Sequence, residues 1–304
     1  MIRETLVNEK NEVFDLWKLS YPTQNETYLK FYFDEIFDQG VGIVKEQDGK
    51  IVSSLQMNYH VFQFHGKQLK ASYILGASTL PDYRRRGHMR SLMQSILDEA
   101  SHNCLITLIK AFNPKVYDHF GFDVVYYRKG YTLTRESLHK VTTQRVSEDC
   151  EAKELLETYR RFIVRFDGYY ARDIKYYETL LKELELKQKH ILVYRGEHNE
   201  IQGYIIYQVK KNDVVVQEAI YMNSTVLKRL LKRAMGVEKE ITVMVSSCER
   251  LERIFPLAIP KKQPYLMARI NNYALFNKLY NVKVKNTQEA FELLKKPLWC
   301  HEYY

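Results

Sequence analysis

The sequence predicts an α/β (α+β) protein: two tandem, similarly built domains with mixed, mostly antiparallel sheets, and a short C-terminal segment. Three observations carry that prediction. The order of two helices, antiparallel strands, a helix, a strand and a short helix occurs twice along 304 residues, a length that suits two ordinary domains. Hydrophobic residues make up 45% of the chain and charged residues 27%, the balance of a globular protein able to bury a sizeable core. A strand-like run also ends at Pro81 and passes through Arg84-Arg85-Arg86-Gly87 straight into a helix of clear apolar periodicity.

In the first copy, helical spacing predicts helices over residues 9–19 and 26–37, with Pro22 as the break between them. Strands over 41–45 and 51–64 follow, separated by the Asp48-Gly49 turn signal. The next apolar stretch covers 71–80. After Gly87, the residues Met89, Leu92, Met93, Ile96, Leu97 and Ala100 recur at helical intervals. A strand over 105–109, a turn with a short helix over 114–119 and a strand pair within 124–133 complete the copy. The polar stretch 134–149 marks a boundary. Beyond it come helices over 151–162 and 174–184, strands over 191–194, 201–209 and 214–221, a helix over 225–235, a strand over 241–245 and a short helix over 249–254. Domains are therefore expected at 1–142 and 143–258. The remainder, 259–304, holds a strand-like stretch, a helix and an aromatic tail, and is too small to fold alone.

Composition excludes several function classes. The first ten residues alternate charged and apolar positions without a signal-peptide pattern. The apolar runs are far too short to span a bilayer, so a cytoplasmic protein without membrane contact is expected. Cys104, Cys150, Cys248 and Cys300 form no CxxC pair, and the nine histidines include no HExxH; no metal site is expected. The net charge of +9 suits an anionic partner, either nucleic acid or a phosphorylated cofactor. The paired lysines, such as Lys210-Lys211 and Lys261-Lys262, read as solvated surface.

The junction over residues 71–100 carries the chemistry. The first turn of a helix presents free backbone N–H groups and the positive end of the helix dipole. Gly87, lacking a Cβ, lets a phosphate approach that backbone closely, and Arg84, Arg85, Arg86 and Arg90 add positive charge. An anion site for phosphate or pyrophosphate follows. Nucleic acid is disfavoured, because the helix face beyond offers mostly Ser91, Gln94, Asp98 and Glu99.

This stretch resembles the cofactor motif of the GNAT N-acetyltransferase superfamily: Gln or Arg, two free positions, Gly, one free position, then Gly or Ala. Arg84 and Gly87 match, while Met89 replaces the small final residue. Arg84-Arg85-Arg86-Gly87-His88-Met89-Arg90-Ser91-Leu92-Met93 resembles the branch named for the mycobacterial enhanced intracellular survival protein (Eis-like). Asn113-Pro114-Lys115-Val116-Tyr117-Asp118-His119-Phe120-Gly121-Phe122 resembles a second segment of that branch, in the right order. The resemblance implies tandem GNAT-like domains, the first active and the second degenerate, with 259–304 as a remnant of a sterol-carrier-protein-type domain. It implies acetyl-CoA as donor and a primary amine of a small molecule or peptide as acceptor, with direct transfer in a ternary complex. Ala77, Ser78 and Thr79 would meet the pantetheine arm, and Arg85, Arg86, Gly87, His88, Met89 and Arg90 the pyrophosphate, with Phe112 and Asn113 across the cleft. Tyr117 takes the position of the general acid and the Tyr304 carboxylate that of the general base. Self-association is implied as well. The second copy has no Arg-x-x-Gly at Tyr221-Met222-Asn223-Ser224-Thr225-Val226, so one active site per chain is expected. A non-catalytic acyl-CoA sensor with the same fold is the alternative.

Overall fold

A computed structural model describes residues 1–110, 113–210 and 213–301. The chain divides into two compact units, one of Met1–Val125 with Tyr265–Leu294, the other of Tyr126–Pro264 with the described residues of Lys295–Tyr303.

The first unit contains β1 (Ile2–Glu4), α1 (Lys10–Ser20), α2 (Glu26–Glu35), β2 (Val41–Gln47), β3 (Lys50–Phe64), β4 (Lys67–Thr79), α3 (His88–Asn103) and β5 (Ile106–Ile109). The strands β1, β2, β3 and β4 pair antiparallel in that order, and β5 joins β4 in parallel. The Asp48-Gly49 turn closes the β2–β3 hairpin with both residues at positive φ, 51° and 73°, the combination such tight hairpins require. The apolar face of α3 is the one its periodicity predicts: Leu92, Met93, Ile96, Leu97 and Ala100 are all buried. They pack with Leu55, Met57, Ile74 and Ile109 from the sheet.

The second unit begins within β6 (Asp123–Thr134) and continues through β7 (Val146–Ser147), α4 (Ala152–Ile163), β8 (Tyr169–Tyr170), α5 (Ile174–Leu186), β9 (His190–Arg195), β10 (Ile201–Lys210), β11 (Asp213–Tyr221), α6 (Ser224–Met235) and β12 (Glu240–Ser246). Its sheet repeats the first. β7, β9, β10 and β11 pair antiparallel in that order, β12 joins β11 in parallel, and β6 adds antiparallel to β12. The expected strand pair within 124–133 is one continuous strand. Its Gly130 lies opposite Met244, whose Sδ stands 3.0 Å from where a Cβ would be, so the glycine serves close packing rather than a turn.

The last part of the chain contributes β13 (Lys261–Ile270), α7 (Tyr273–Tyr280) and α8 (Thr287–Glu292). β13 pairs antiparallel with β5 over Met267–Ile270, taking in the first sheet the place that β6 takes in the second. Residues 265–294 thus lie in the first unit and the described residues from 295 on in the second. There Trp299 is buried against Tyr159, Phe162 and Phe166. Arg172 makes a bidentate pair with Glu218, at 3.0 and 2.8 Å, and donates to the His301 carbonyl at 2.6 Å. Both partners are almost wholly buried. Arg172→Met is expected to lower stability by about 3–5 kcal/mol, because it leaves the buried Glu218 carboxyl without its guanidinium partner. The double replacement Arg172→Met/Glu218→Leu should recover most of that loss in a denaturant titration.

Candidate active site

The site is built where β4 parts from β5. Their parallel pairing covers only Ala71–Ile74 against Ile106–Ile109, whereas β4 runs on beside β3 to Thr79. Between Ser54 and Gln56 the β3–β4 register slips by one residue. The extra residue lies in the Gly76-Ala77 region of β4, a β-bulge that bends the strand away from its neighbour. Gly76 sits at φ 66°, and an added Cβ would lie 1.8 Å from Cζ2 of Trp17. The glycine therefore gives both the left-handed backbone and the room for an indole. Trp17 is fixed in turn by Nε1 donating to Ser54 Oγ at 3.2 Å and by stacking with Tyr32.

β4 then leads through a 3₁₀ turn at Pro81–Tyr83 into the arginine run. Arg85 at φ 62° and Gly87 at φ 79° turn the backbone back on itself. α3 starts at Gly87 with no side-chain cap. By contrast, Asn25, Asp173, Asn223, Asn272 and Asn286 cap α2, α5, α6, α7 and α8, each accepting a first-turn N–H. The first-turn N–H groups of α3 are thereby left for an external acceptor. No atom lies within 4 Å of where a Gly87 Cβ would project. An open cleft of about 550 Å³ occupies this corner, lined by Ser20, Ala77, Thr79, Tyr83, Arg84, Arg85, Gly87, His88, Met89 and Arg90.

Most of the residues singled out from the sequence meet there. Ala77, Thr79, Arg85, Gly87, His88, Met89 and Arg90 share the cleft wall. Ser78 is buried between two of them and Arg86 is exposed, its guanidinium over the Tyr83 ring at 5.2 Å. Met89, in place of the expected small residue, also packs on the core. His88 is held below its ordinary pKa by burial and by the charges of Lys45 and Arg86, so at neutral pH the positive charge of the cleft comes from its arginines. Asn113 is exposed at the start of a 3₁₀ turn. Tyr117 stands between two such turns, half-buried, edge-on to Phe122 at 6.3 Å. Burial raises its phenol pKa, and its presence adds to the upward push that burial exerts on Tyr21. Phe112 and Tyr304 lie outside the described residues. Among those described, no group of three or more His, Cys, Asp or Glu could hold a metal, and no helix is long and apolar enough to cross a membrane.

Sequence reasoning missed Ser20 and Gly76. Nothing in the local pattern marks Ser20. A glycine inside a strand-like run was a usable signal for a bulge.

The corresponding corner of the second unit is built differently. β11 and β12 also pair over a short parallel stretch, Val214–Val216 against Ile241–Val243. Beyond it, Arg128 Nη2 donates to both Gln217 O and Met244 O. Ser246 Oγ donates to Leu298 O at 3.1 Å, and the start of α6 is capped by Asn223. Carbonyls, opening and helix terminus all have partners from the chain itself.

Two family matches, each described as an acetyltransferase (GNAT) domain, cover residues 1–125 and 168–270. No curated protein matches the sequence significantly. Similar solved structures include a protein from Enterococcus faecalis described as a probable N-acyltransferase (18% identity, 90% of this chain and 72% of that one, TM-score 0.77). A GCN5-related N-acetyltransferase from Anabaena variabilis is similar at 15% identity, over 90% and 73% of the two chains, with TM-score 0.73. Eis1 from Mycobacterium abscessus is similar at 14% identity, over 91% and 75%, with TM-score 0.69. At these identities the structures speak to the shared fold.

Proposed function

We propose that this chain, which belongs to the GNAT acetyltransferases through both of its domain matches, moves an acetyl group from acetyl-CoA to a primary amine of a small molecule or peptide. The observation that carries the reading is the uncapped start of α3 at Gly87, facing the arginine-lined cleft at the end of the splayed strand β4. Backbone amides, helix dipole and guanidinium groups there favour a pyrophosphate. The freed edge of β4 at Ala77, Ser78 and Thr79 suits an extended, amide-bearing arm. Arg86, Phe112 and Asn113 complete the proposed set.

Acetyl-CoA supplies the activated acyl group; the remaining tasks fall to the chain. The amine must arrive neutral, with its lone pair aimed at the thioester carbonyl carbon. As the new C–N bond forms and the C–S bond breaks, Tyr117 gives its phenolic proton to the departing sulfur. The proton shed by the amine passes to a base, the role that the family resemblance gives to the Tyr304 carboxylate. Burial keeps the Tyr117 pKa above the ordinary phenol value, so the acid form persists through neutral pH. The rate should fall only on the alkaline side, above the ordinary phenol range.

Tyr117→Phe is expected to lower kcat by about a hundredfold or more and to abolish that alkaline limb, with acetyl-CoA affinity unchanged. Thiol release followed over a panel of amines tests it. A variant with full kcat would remove Tyr117 from the reaction.

A further inference from the structure

The bulge in β4 leaves one carbonyl in an unusual position. Ser54 opposes Ser78 and Gln56 opposes Leu75, so Gly76 and Ala77 have no register partner on β3. Pairing with β5 has already ended at Ile74. Ala77 O accepts from a side chain: Tyr21 Oη donates to it at 2.8 Å. That phenol is held in place by several features. Tyr21 follows α1 directly, and its N–H donates to Trp17 O at 2.8 Å. Its ring packs edge-on to Trp17 at 6.2 Å, and Trp17 in turn occupies the space left by Gly76. Neighbouring Ser20 lines the cleft with a buried hydroxyl that has no hydrogen-bond partner. Ala77 thus lines the cleft at the bulge, and the residue that follows α1 covers its carbonyl with a hydroxyl.

We propose that Tyr21 competes with the coenzyme's pantetheine arm for the Ala77 carbonyl, so that its hydroxyl sets the affinity for the pantetheine half without touching the nucleotide half. This rests on the reading of the cleft as an acetyl-CoA site. An arm lying along the freed edge of β4 has amide N–H donors to place, and one carbonyl of the bulge already accepts from Tyr21. Seating the arm there means exchanging an O–H donor for an N–H donor. Part of the binding free energy is spent on displacing the phenol.

The sign of the effect makes the inference testable. Removing a hydroxyl that contacts a ligand weakens binding; removing one that competes with it strengthens binding. Tyr21→Phe keeps the ring on Trp17 and deletes only the competing donor. Calorimetric titrations of wild type and Tyr21→Phe would use two probes, coenzyme A and adenosine 3′,5′-bisphosphate, which lacks the pantetheine arm. Coenzyme A is expected to bind the variant about three- to tenfold more tightly, the range of one net hydrogen bond. The bisphosphate should bind both proteins alike, which also reports that the cleft is intact. Unchanged or weaker coenzyme A binding beside unchanged bisphosphate binding would overturn the proposal and leave the coenzyme site standing. If neither probe binds wild type, the cofactor reading falls and the proposal falls with it.

Discussion

Gly87→Glu is expected to weaken acetyl-CoA binding by at least about a hundredfold while the protein stays folded. The backbone at Gly87 has φ 79° and opens on a volume with no atom within 4 Å of a new Cβ. Steric damage is therefore absent, and the left-handed backbone costs about 1–2 kcal/mol in a non-glycine residue. Binding loses far more. A carboxylate at the mouth of the first turn satisfies the N–H groups of α3 from within and places a negative charge where the pyrophosphate would lie. A hundredfold loss corresponds to about 2.7 kcal/mol, within reach of a filled helix terminus and one added like charge. Calorimetry with acetyl-CoA measures the loss, and a thermal melt separates it from unfolding. Equal affinity in the two proteins would mean that the pyrophosphate lies elsewhere.

The second large effect concerns the strand bulge. Gly76→Ala is expected to destabilise the first unit by about 3 kcal/mol or more. The methyl group would project to 1.8 Å from Trp17 Cζ2, at φ 66°, so overpacking adds to backbone strain. Gly49 provides the control. It has φ 73° and nothing within 4 Å of its Cβ position, so Gly49→Ala carries the strain alone, about 1–2 kcal/mol. Denaturant titration of both variants reads the difference. Equal losses would show that Trp17 yields freely and that the indole does not shape the end of β4.

Much of this was legible in the sequence because local rules and global fold agree. The α3 face follows its 3.6-residue periodicity, and the Arg84–Gly87 run marks the start of the helix that the structure leaves without a side-chain cap. The doubled order of elements gave the tandem architecture. What escaped detection depends on pairing partners far apart in the chain. β13 lies beside β5, more than 150 residues away in sequence, and no local pattern states which sheet receives a strand. The α7 helix was passed over because Tyr273–Tyr280 is short and buries only Phe276, which leaves weak periodicity. The hydrogen bond from Tyr21 to Ala77 depends on a bulge, and a bulge is set by two strands rather than by one.

The second unit provides its own partners at the corner that the first leaves open. Asn223 caps α6, and Arg128 spans the carbonyls of Gln217 and Met244. Each partner that an external arm or phosphate would need is supplied by the chain. We therefore propose one coenzyme for each chain.

Calorimetric titration of the intact protein with acetyl-CoA tests that claim most directly. One equivalent bound per chain, released on screening by high salt less than a purely ionic contact would be, is the predicted result. Two equivalents would show that the second unit has kept a working cleft, and no binding at all would contradict the assignment of the arginine-lined cleft as a coenzyme site.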